Sequence, residues 1–205
     1  MVDRSSRGAG LRLAFGSMAL GMVAGWLSAE VSSRRPVDLQ RVAERIDVRP
    51  ERVLVVVAGD PDVARDVRAT FSEAKVDCVD VAGGAPIPDH GRVPLPVSPR
   101  QLVSGGGPYE LIIFARSAHA VDDALLRNAM FTRARTLLAD GGSVVVLDRA
   151  NDAGALASFG PAALRFPNHA QWHAVFGAGG LRPVDHTRLP GPVHCWILQR
   201  KLSPV

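Results

Sequence analysis

The sequence is poor in the residues and motifs that mark several enzyme classes. It has two cysteines, Cys78 and Cys195, and both fall within predicted strands. We therefore expect two reduced, buried thiols and a cytoplasmic protein rather than a disulfide-bonded one. The sequence has no Gly-x-Ser-x-Gly elbow, no Gly-Lys-Ser/Thr phosphate loop and no Cys-x-x-Cys pair. These absences argue against a nucleophilic hydrolase and against a P-loop protein.

Charge is too evenly mixed to mark a nucleic-acid surface. The 205-residue chain has a formal net charge of +4, but arginine and aspartate are interleaved and no basic run alternates with aromatics. We therefore expect no nucleic-acid partner. With 47% hydrophobic residues, the chain can bury one substantial core. This predicts one main domain over residues 36–205, preceded by an N-terminal apolar helix within residues 1–35.

The N-terminal segment is a packing helix, a membrane-associated helix or a signal peptide, although Ser28-Ala-Glu30 is a poor cleavage site for the last. Residues 13–29 are uncharged and largely apolar, with arginines on both sides, and their length lies at the lower limit for crossing a bilayer. Gly21 and Gly25 have the spacing at which membrane helices approach closely. Glycine and serine also dilute the hydrophobicity, which favours a helix packed on the domain. Membrane contact through residues 13–29 remains the alternative.

The rest of the chain alternates short apolar runs with helical patterns. The predicted helices include one that begins at Asp122 and stops at Gly141-Gly142. Its predicted buried side consists of Leu125, Leu126, Ala129, Met130, Leu137 and Leu138. Glycine and proline dominate residues 82–108, with at most a short strand around residues 92–97. The pattern predicts an α/β fold with a mainly parallel sheet, helices on both faces and a C-terminal antiparallel hairpin. The predicted strands cover residues 53–57, 76–81, 109–114, 143–148, 184–189 and 193–200.

The first predicted strand leads directly into a turn suited to a ligand. Ala58 and Gly59 follow the valine run, and Asp60 is a candidate helix N-cap with Pro61 at the first helical position. Such a turn leaves backbone N–H groups pointing outward, which is how α/β proteins hold nucleotide-like ligands. We therefore take Ala58, Gly59 and Asp60 as candidate binding residues.

Three later segments carry a resemblance to a known family. The run Leu137-Leu-Ala-Asp-Gly-Gly-Ser-Val-Val-Val-Leu-Asp148 resembles the helix end, double glycine and fifth strand of class I S-adenosylmethionine-dependent methyltransferases. Residues 109–114 look like their fourth strand, and residues 172–184 are similar to their last helix and sixth strand. The segment before the first strand fits the small type-11 branch. The resemblance spans residues 37–201. It implies a seven-stranded Rossmann-like sheet and methyl transfer from S-adenosylmethionine to a small-molecule acceptor.

The first turn departs from the family's glycine-rich pattern. Val55 stands at its acidic position, Val57 and Pro61 replace two glycines, and Gly59 alone is kept. We expect Val57 and Pro61 to occupy space that the cofactor needs, and Asp60 to bring a negative charge near the methionine carboxylate. A catalytically inactive scaffold of the same fold, binding a protein partner or a membrane, is therefore the alternative function.

The resemblance also suggests roles for three polar residues. Asp80, near the end of the second strand, matches the carboxylate that binds the ribose hydroxyls, although a turn-capping role is equally good. Arg116 follows the fourth strand and joins the candidate cofactor-binding residues. His119 lies just beyond it, where the family positions acceptor groups. It is the candidate general base, with a solvated loop histidine as the alternative.

The remaining histidines offer half of a metal site. His169 and His173 stand four residues apart on a predicted helix, and so share one face. No glutamate-bearing zinc motif completes them, although Asp185, His186 and His194 are able to approach in space. A polar helix face is the favoured interpretation, and we predict no metal site.

Overall fold

The computed structural model describes residues 39–46, 49–81, 108–121 and 123–201. The N-terminal segment 1–35 and the strand expected around residues 92–97 lie outside these residues. No helix within the described part of the chain is both long and apolar enough to cross a membrane. The elements are α1 (Leu39–Arg45), β1 (Arg52–Val57), α2 (Pro61–Thr70), β2 (Lys75–Asp80), β3 (Tyr109–Ala115), α3 (Ala124–Leu137), β4 (Leu138–Asp148), α4 (Ala153–Phe159), a 3-10 helix (Gly160–Arg165), α5 (His169–Ala178), β5 (Leu181–Arg188) and β6 (His194–Arg200).

The described strands form one six-stranded sheet in the order β2-β1-β3-β4-β6-β5. The first four strands in this order, β2, β1, β3 and β4, are parallel to their neighbours. Strand β6 runs antiparallel to both β4 and β5. Val57 lies level with Asp80 on one side and with Ala115 on the other, and Ala115 lies level with Leu147. The carboxyl ends of the parallel strands therefore meet at one edge of the sheet.

Helices cover both faces of the sheet, because successive strand residues point to opposite sides. On one face Val56, Phe114 and Trp196 belong to a core that also contains side chains of α3 and α5. On the other face Val55 and Ile113 pack in a core with side chains of α1 and α2. This arrangement confirms the α/β class predicted from the alternating pattern.

The predicted start of α3 was wrong by one residue. The N-cap is Asp123, not Asp122, and the Asp123 side chain accepts from the backbone N–H of Leu125 at 2.8 Å. The buried face was predicted in part. Met130 and Leu137 are buried as predicted, together with Phe131 and Ala134, whereas Leu125 is 78% exposed and Ala129 is exposed as well.

The double glycine does not stop α3. The helix ends at Leu137 and β4 begins at the next residue, so Gly141 and Gly142 lie within the strand. Gly141 has a φ of 76°, and a side chain at Gly142 would place its Cβ 2.9 Å from the carbonyl oxygen of Glu110. Glycine is therefore required here by the close approach of β3, a reason that the sequence pattern does not reveal.

Residues 149–167, which carried no predicted element, contain α4 and the 3-10 helix. The Asp152 side chain caps α4 by accepting from Ala155 N–H at 2.7 Å. Further on, α5 begins at the predicted cap, where Asn168 and Gln171 form a reciprocal capping box. Both cysteines are free; Cys195 is buried, as predicted, while Cys78 is only partly buried.

Candidate functional site

The candidate site lies where the parallel strands end. The turn after β1, the end of β2, the segment after β3 and the end of β4 all reach this edge, because the four strands are in register. Ligands of open α/β sheets bind outside the carboxyl ends of the strands. The candidates Ala58, Gly59, Asp60, Asp80 and Arg116 are all at this edge, as is His119.

The turn between β1 and α2 is tied to the end of β2. Gly59 has a φ of 68°, a conformation that favours glycine, and its N–H donates to Asp80 Oδ1 at 2.9 Å. Asp60 caps α2 by accepting from Val63 N–H at 3.4 Å, with Pro61 in the first helical turn. Asp80 therefore stabilises the turn, which was one of its two sequence interpretations.

The Val57 side chain is fully buried in the core that includes Val63 and Val67 of α2. Its expected obstruction of the cofactor stays a prediction. Pro61 is exposed at the start of α2. The negative charge of Asp60 is partly balanced, because Arg116 Nη1 lies 3.7 Å from Asp60 Oδ2.

Arg116 occupies a constrained position after β3. Its φ of 53° lies in the left-handed region, which costs non-glycine residues about 1–3 kcal/mol. Its N–H donates to the carbonyl of Leu147 at 2.8 Å, and its side chain is only 9% exposed. Burial lowers the pKa of Arg116, and the nearby carboxylates of Asp60 and Asp148 act in the opposite direction. The guanidinium remains a cation at neutral pH, because an arginine pKa lies far above 7.

The strongest feature of the site is a pair formed by His119 and Asp148. Asp148 is the last residue of β4 and is fully buried. Its Oδ1 contacts His119 Nδ1, and its Oδ2 accepts from the backbone N–H groups of Ala118 and His119 at 3.0 Å each. The loop that carries the histidine is thus wrapped around the carboxylate.

The Asp148 carboxylate is stabilised in its ionised form. Burial by itself raises its pKa, but the charge and hydrogen bond of His119 and the N–H groups of His119 and Arg149 outweigh that effect. The pKa of Asp148 is therefore lower than usual. His119 retains 16% side-chain exposure, so its side chain is not fully closed off from solvent. Sequence reasoning missed Asp148; the available signal was a carboxylate that ends a buried strand at the ligand-binding edge.

Aromatic side chains form a wall beside the pair. The ring of Phe166 meets His119 edge to face, with centroids 5.4 Å apart, and Phe159 meets Phe166 in the same way. The Arg149 guanidinium lies over the Phe159 ring, 4.6 Å from its centroid. This wall comes from α4 and the 3-10 helix with its following residue, in the segment with no predicted element.

A cavity of about 580 Å³ lies elsewhere on the molecule. It is lined by residues of α1, the segment before β1 and the end of α2, among them Ile46, Pro50 and Phe71. This is the opposite edge of the sheet, where strands begin. We locate the candidate site at the other edge, because the paired titratable groups are there.

The sequence spacing that places His169 and His173 on one helix face does not describe how the histidines are grouped in the structure. The structure instead groups His169 with His186 and His194, while His173 is exposed. Asp185 pairs with Arg45, with a distance of 2.6 Å between Nη1 and Oδ2.

No family model and no curated protein matches the chain. Solved structures do match. The pyocyanin biosynthetic protein PhzM has a TM-score of 0.61 at 14% identity, over 80% of this chain and 54% of that one. The mitomycin 7-O-methyltransferase MmcR has a TM-score of 0.59 at 14% identity, over 89% of this chain and 55% of that one. The CcbJ methyltransferase from Streptomyces caelestis has a TM-score of 0.59 at 17% identity, over 85% of this chain and 96% of that one.

The chain spans about half the length of the first two proteins and nearly all of the third. Identities this low establish the fold and leave the activity open.

Proposed function

We propose that the protein transfers a methyl group from S-adenosylmethionine to a hydroxyl group of a small molecule. Its fold, which is that of the class I S-adenosylmethionine-dependent methyltransferases it resembles in sequence, supports this proposal. The observation that carries the proposal is the His119–Asp148 pair. A histidine held by a buried carboxylate is the arrangement of an oriented general base.

The residues at the first turn fit the cofactor. Gly59 is exposed with a left-handed φ, and the Asp80 carboxylate lies beside it at the end of β2. A carboxylate there suits ribose hydroxyls, and the exposed turn backbone at the start of α2 allows close approach of the ligand. Arg116 supplies a cation for the methionine carboxylate. S-adenosylmethionine, when bound, supplies a methyl group on a positively charged sulfur.

The contact between His119 and Asp148 determines which nitrogen acts as the base. Asp148 Oδ1 faces Nδ1, so the neutral imidazole carries its proton on Nδ1 and donates it to the carboxylate. Nε2 is then the basic nitrogen. It would take the proton of the acceptor hydroxyl, while bound S-adenosylmethionine would supply the methyl group and leave as S-adenosylhomocysteine once its methyl–sulfur bond has broken. Asp148 stabilises the resulting imidazolium without taking the proton itself.

The aromatic wall suggests the acceptor's shape. Phe166 contacts His119 and Phe159 packs against Phe166, so the surroundings of His119 are apolar and aromatic and suit a flat, hydroxylated ring. Similar proteins include an O-methyltransferase for mitomycin. We therefore propose an aromatic or otherwise planar hydroxyl compound as the acceptor class.

The first experiment is calorimetric titration of the full chain with S-adenosylhomocysteine. We expect one site per chain and an increase in the melting temperature at excess ligand. Asp80→Asn should weaken binding, because the carboxylate loses one of its two acceptor oxygens. The matched control is Asp66→Asn on α2. Absence of both heat and thermal stabilisation would refute the proposal and favour the inactive scaffold.

The second experiment tests the base. Hydroxylated aromatic compounds are screened for release of S-adenosylhomocysteine, and His119→Gln is compared with His173→Gln. We expect the first variant to lower kcat by about 100-fold to 10,000-fold, with little change in S-adenosylhomocysteine affinity. We expect His173→Gln to leave kcat unchanged, because His173 is exposed and lies on α5. Equal activity of both variants would exclude His119 as the base.

A further inference from the structure

Three histidines from separate elements converge beyond the aromatic wall. His169 begins α5, His186 lies on β5 and His194 begins β6. One ring nitrogen of each lies within 4.8 Å of those of the other two. We propose that His169, His186 and His194 form a binding site for a divalent transition-metal ion of the zinc type. Imidazole nitrogens are preferred ligands of zinc, copper and nickel and poor ligands of magnesium or calcium.

Two of the three nitrogens already stand at the spacing of metal ligands. His186 Nε2 and His194 Nδ1 are 3.1 Å apart. Tetrahedral zinc with bonds of about 2.0–2.1 Å separates its ligand nitrogens by about 3.4 Å. The ring nitrogen of His169 lies within 4.8 Å of the other two and has to come closer to complete the set. His169 is the first residue of α5 and is partly exposed, which leaves its side chain room to move.

Asp152 orients His194 as a second-sphere partner. Its Oδ2 lies 2.9 Å from His194 Nε2, while its Oδ1 is fixed by the cap of α4. Nε2 therefore carries the proton, and the lone pair of Nδ1 points toward His186. Zinc-binding histidines typically have this carboxylate–histidine–metal arrangement.

Trp196 holds two of the three rings in place. The rings of His186 and His194 both stack on its indole, with centroids 5.1 Å and 5.3 Å away, which limits their rotation.

Three histidine ligands leave one coordination position of a tetrahedral ion free of protein. This fourth position is left for water or an added ligand, and His186 is exposed to solvent. An ion there joins α5 to the hairpin of β5 and β6, with Asp152 linking α4. The proposal does not depend on methyl transfer and stands or falls separately from it.

The test uses the untagged full chain, stripped of metal with a chelator that is then removed. Zinc ion is titrated by calorimetry, and cobalt ion by its visible absorption, which is intense only in tetrahedral sites. We expect one ion per chain and no binding of magnesium. His186→Ala and His169→Ala should abolish stoichiometric binding. Asp152→Asn keeps a good helix cap and should weaken binding by about 10-fold to 100-fold.

His173→Ala is the matched control, because His173 lies on α5 one turn beyond His169 and is exposed. Circular dichroism establishes that each variant is folded. The cobalt spectrum of the unmodified chain tests the site without any substitution. The proposal is overturned if the unmodified chain binds no zinc at one-to-one stoichiometry, if its cobalt complex is not tetrahedral, or if His173→Ala lowers affinity as much as His186→Ala.

Discussion

Replacing Asp148 with asparagine removes one negative charge from the interior while keeping the side-chain shape. The carboxylate is fully buried and serves four donors: the N–H groups of Ala118, His119 and Arg149, and the ring of His119. An asparagine keeps one acceptor oxygen. Its NH₂ group then faces donors that it cannot satisfy, so at least one buried N–H loses its partner.

The expected loss of stability follows from these contacts. Hydrogen bonds to a charged group contribute about 1.5–3 kcal/mol each, against about 1 kcal/mol for neutral ones. Breaking a buried charged pair by changing one partner costs about 3–5 kcal/mol. We expect Asp148→Asn to lower the free energy of unfolding by about 3–5 kcal/mol, a large part of a typical 5–15 kcal/mol. The melting temperature should fall by about 6–20 °C for a chain of this size.

Urea unfolding at several pH values measures both the size and the cause of the effect. The pKa of Asp148 is lower in the folded protein than in the unfolded chain, where it is near 3.8. The ionised carboxylate therefore contributes its full stabilisation to the free energy of unfolding above the unfolded pKa. That stabilisation is lost as pH falls toward the lower folded pKa. The difference in the free energy of unfolding between the unmodified protein and Asp148→Asn should therefore be constant near neutral pH and shrink below about pH 4.

The matched control is Asp140→Asn on the same strand. The Asp140 side chain is 99% exposed and pairs only with Arg200 among the described contacts, at 2.9 Å. Its replacement should change stability by no more than about 0.5 kcal/mol. If the free energy of unfolding of Asp148→Asn lies within about 1 kcal/mol of that of the unmodified protein, the carboxylate does not hold the loop as we argue.

Two further predictions concern glycines and thiols. Gly177 lies in α5 with open space around its missing Cβ, so Gly177→Ala should stabilise the protein by about 0.5–1 kcal/mol in urea unfolding. Gly180 has a φ of 71°, and a Cβ added there would lie 2.9 Å from Arg135 Cδ, so Gly180→Ala should cost about 1–2 kcal/mol. A gain at both glycines would contradict the backbone argument. Burial raises the thiol pKa of Cys195 to about 12 and that of Cys78 to about 11, so Ellman's reagent at pH 8 should react slowly with the native protein and rapidly with both thiols in denaturant. Rapid reaction of Cys195 in the native state would show that β6 is accessible.

Local signals predicted much of the fold. The valine run of β1, the Asp60 cap and the Asn168 cap each satisfy a requirement within a few residues, so the sequence is sufficient to find them. The errors concern choices that depend on distant contacts. Either Asp122 or Asp123 suits the start of α3, and one position of difference turns Leu125 outward.

The site was less predictable than the fold. His119 stood out because a histidine follows a recognisable strand, but its partner Asp148 lies 29 residues away and becomes visible only when β3 and β4 pair. The histidine cluster depends on the antiparallel pairing of β5 with β6 and on where α5 begins. Sequence spacing favoured His169 with His173, because helical periodicity is readable while strand register is not.

The loop wrapped around Asp148 affects which substitutions evolution tolerates at position 148. At many active sites, stability and activity compete, because groups placed for chemistry are poorly satisfied in the resting protein. Here one carboxylate holds the fold through backbone N–H groups and also holds the ring of His119. A laboratory selection for heat resistance alone, with no demand for catalysis, should therefore still retain aspartate at position 148.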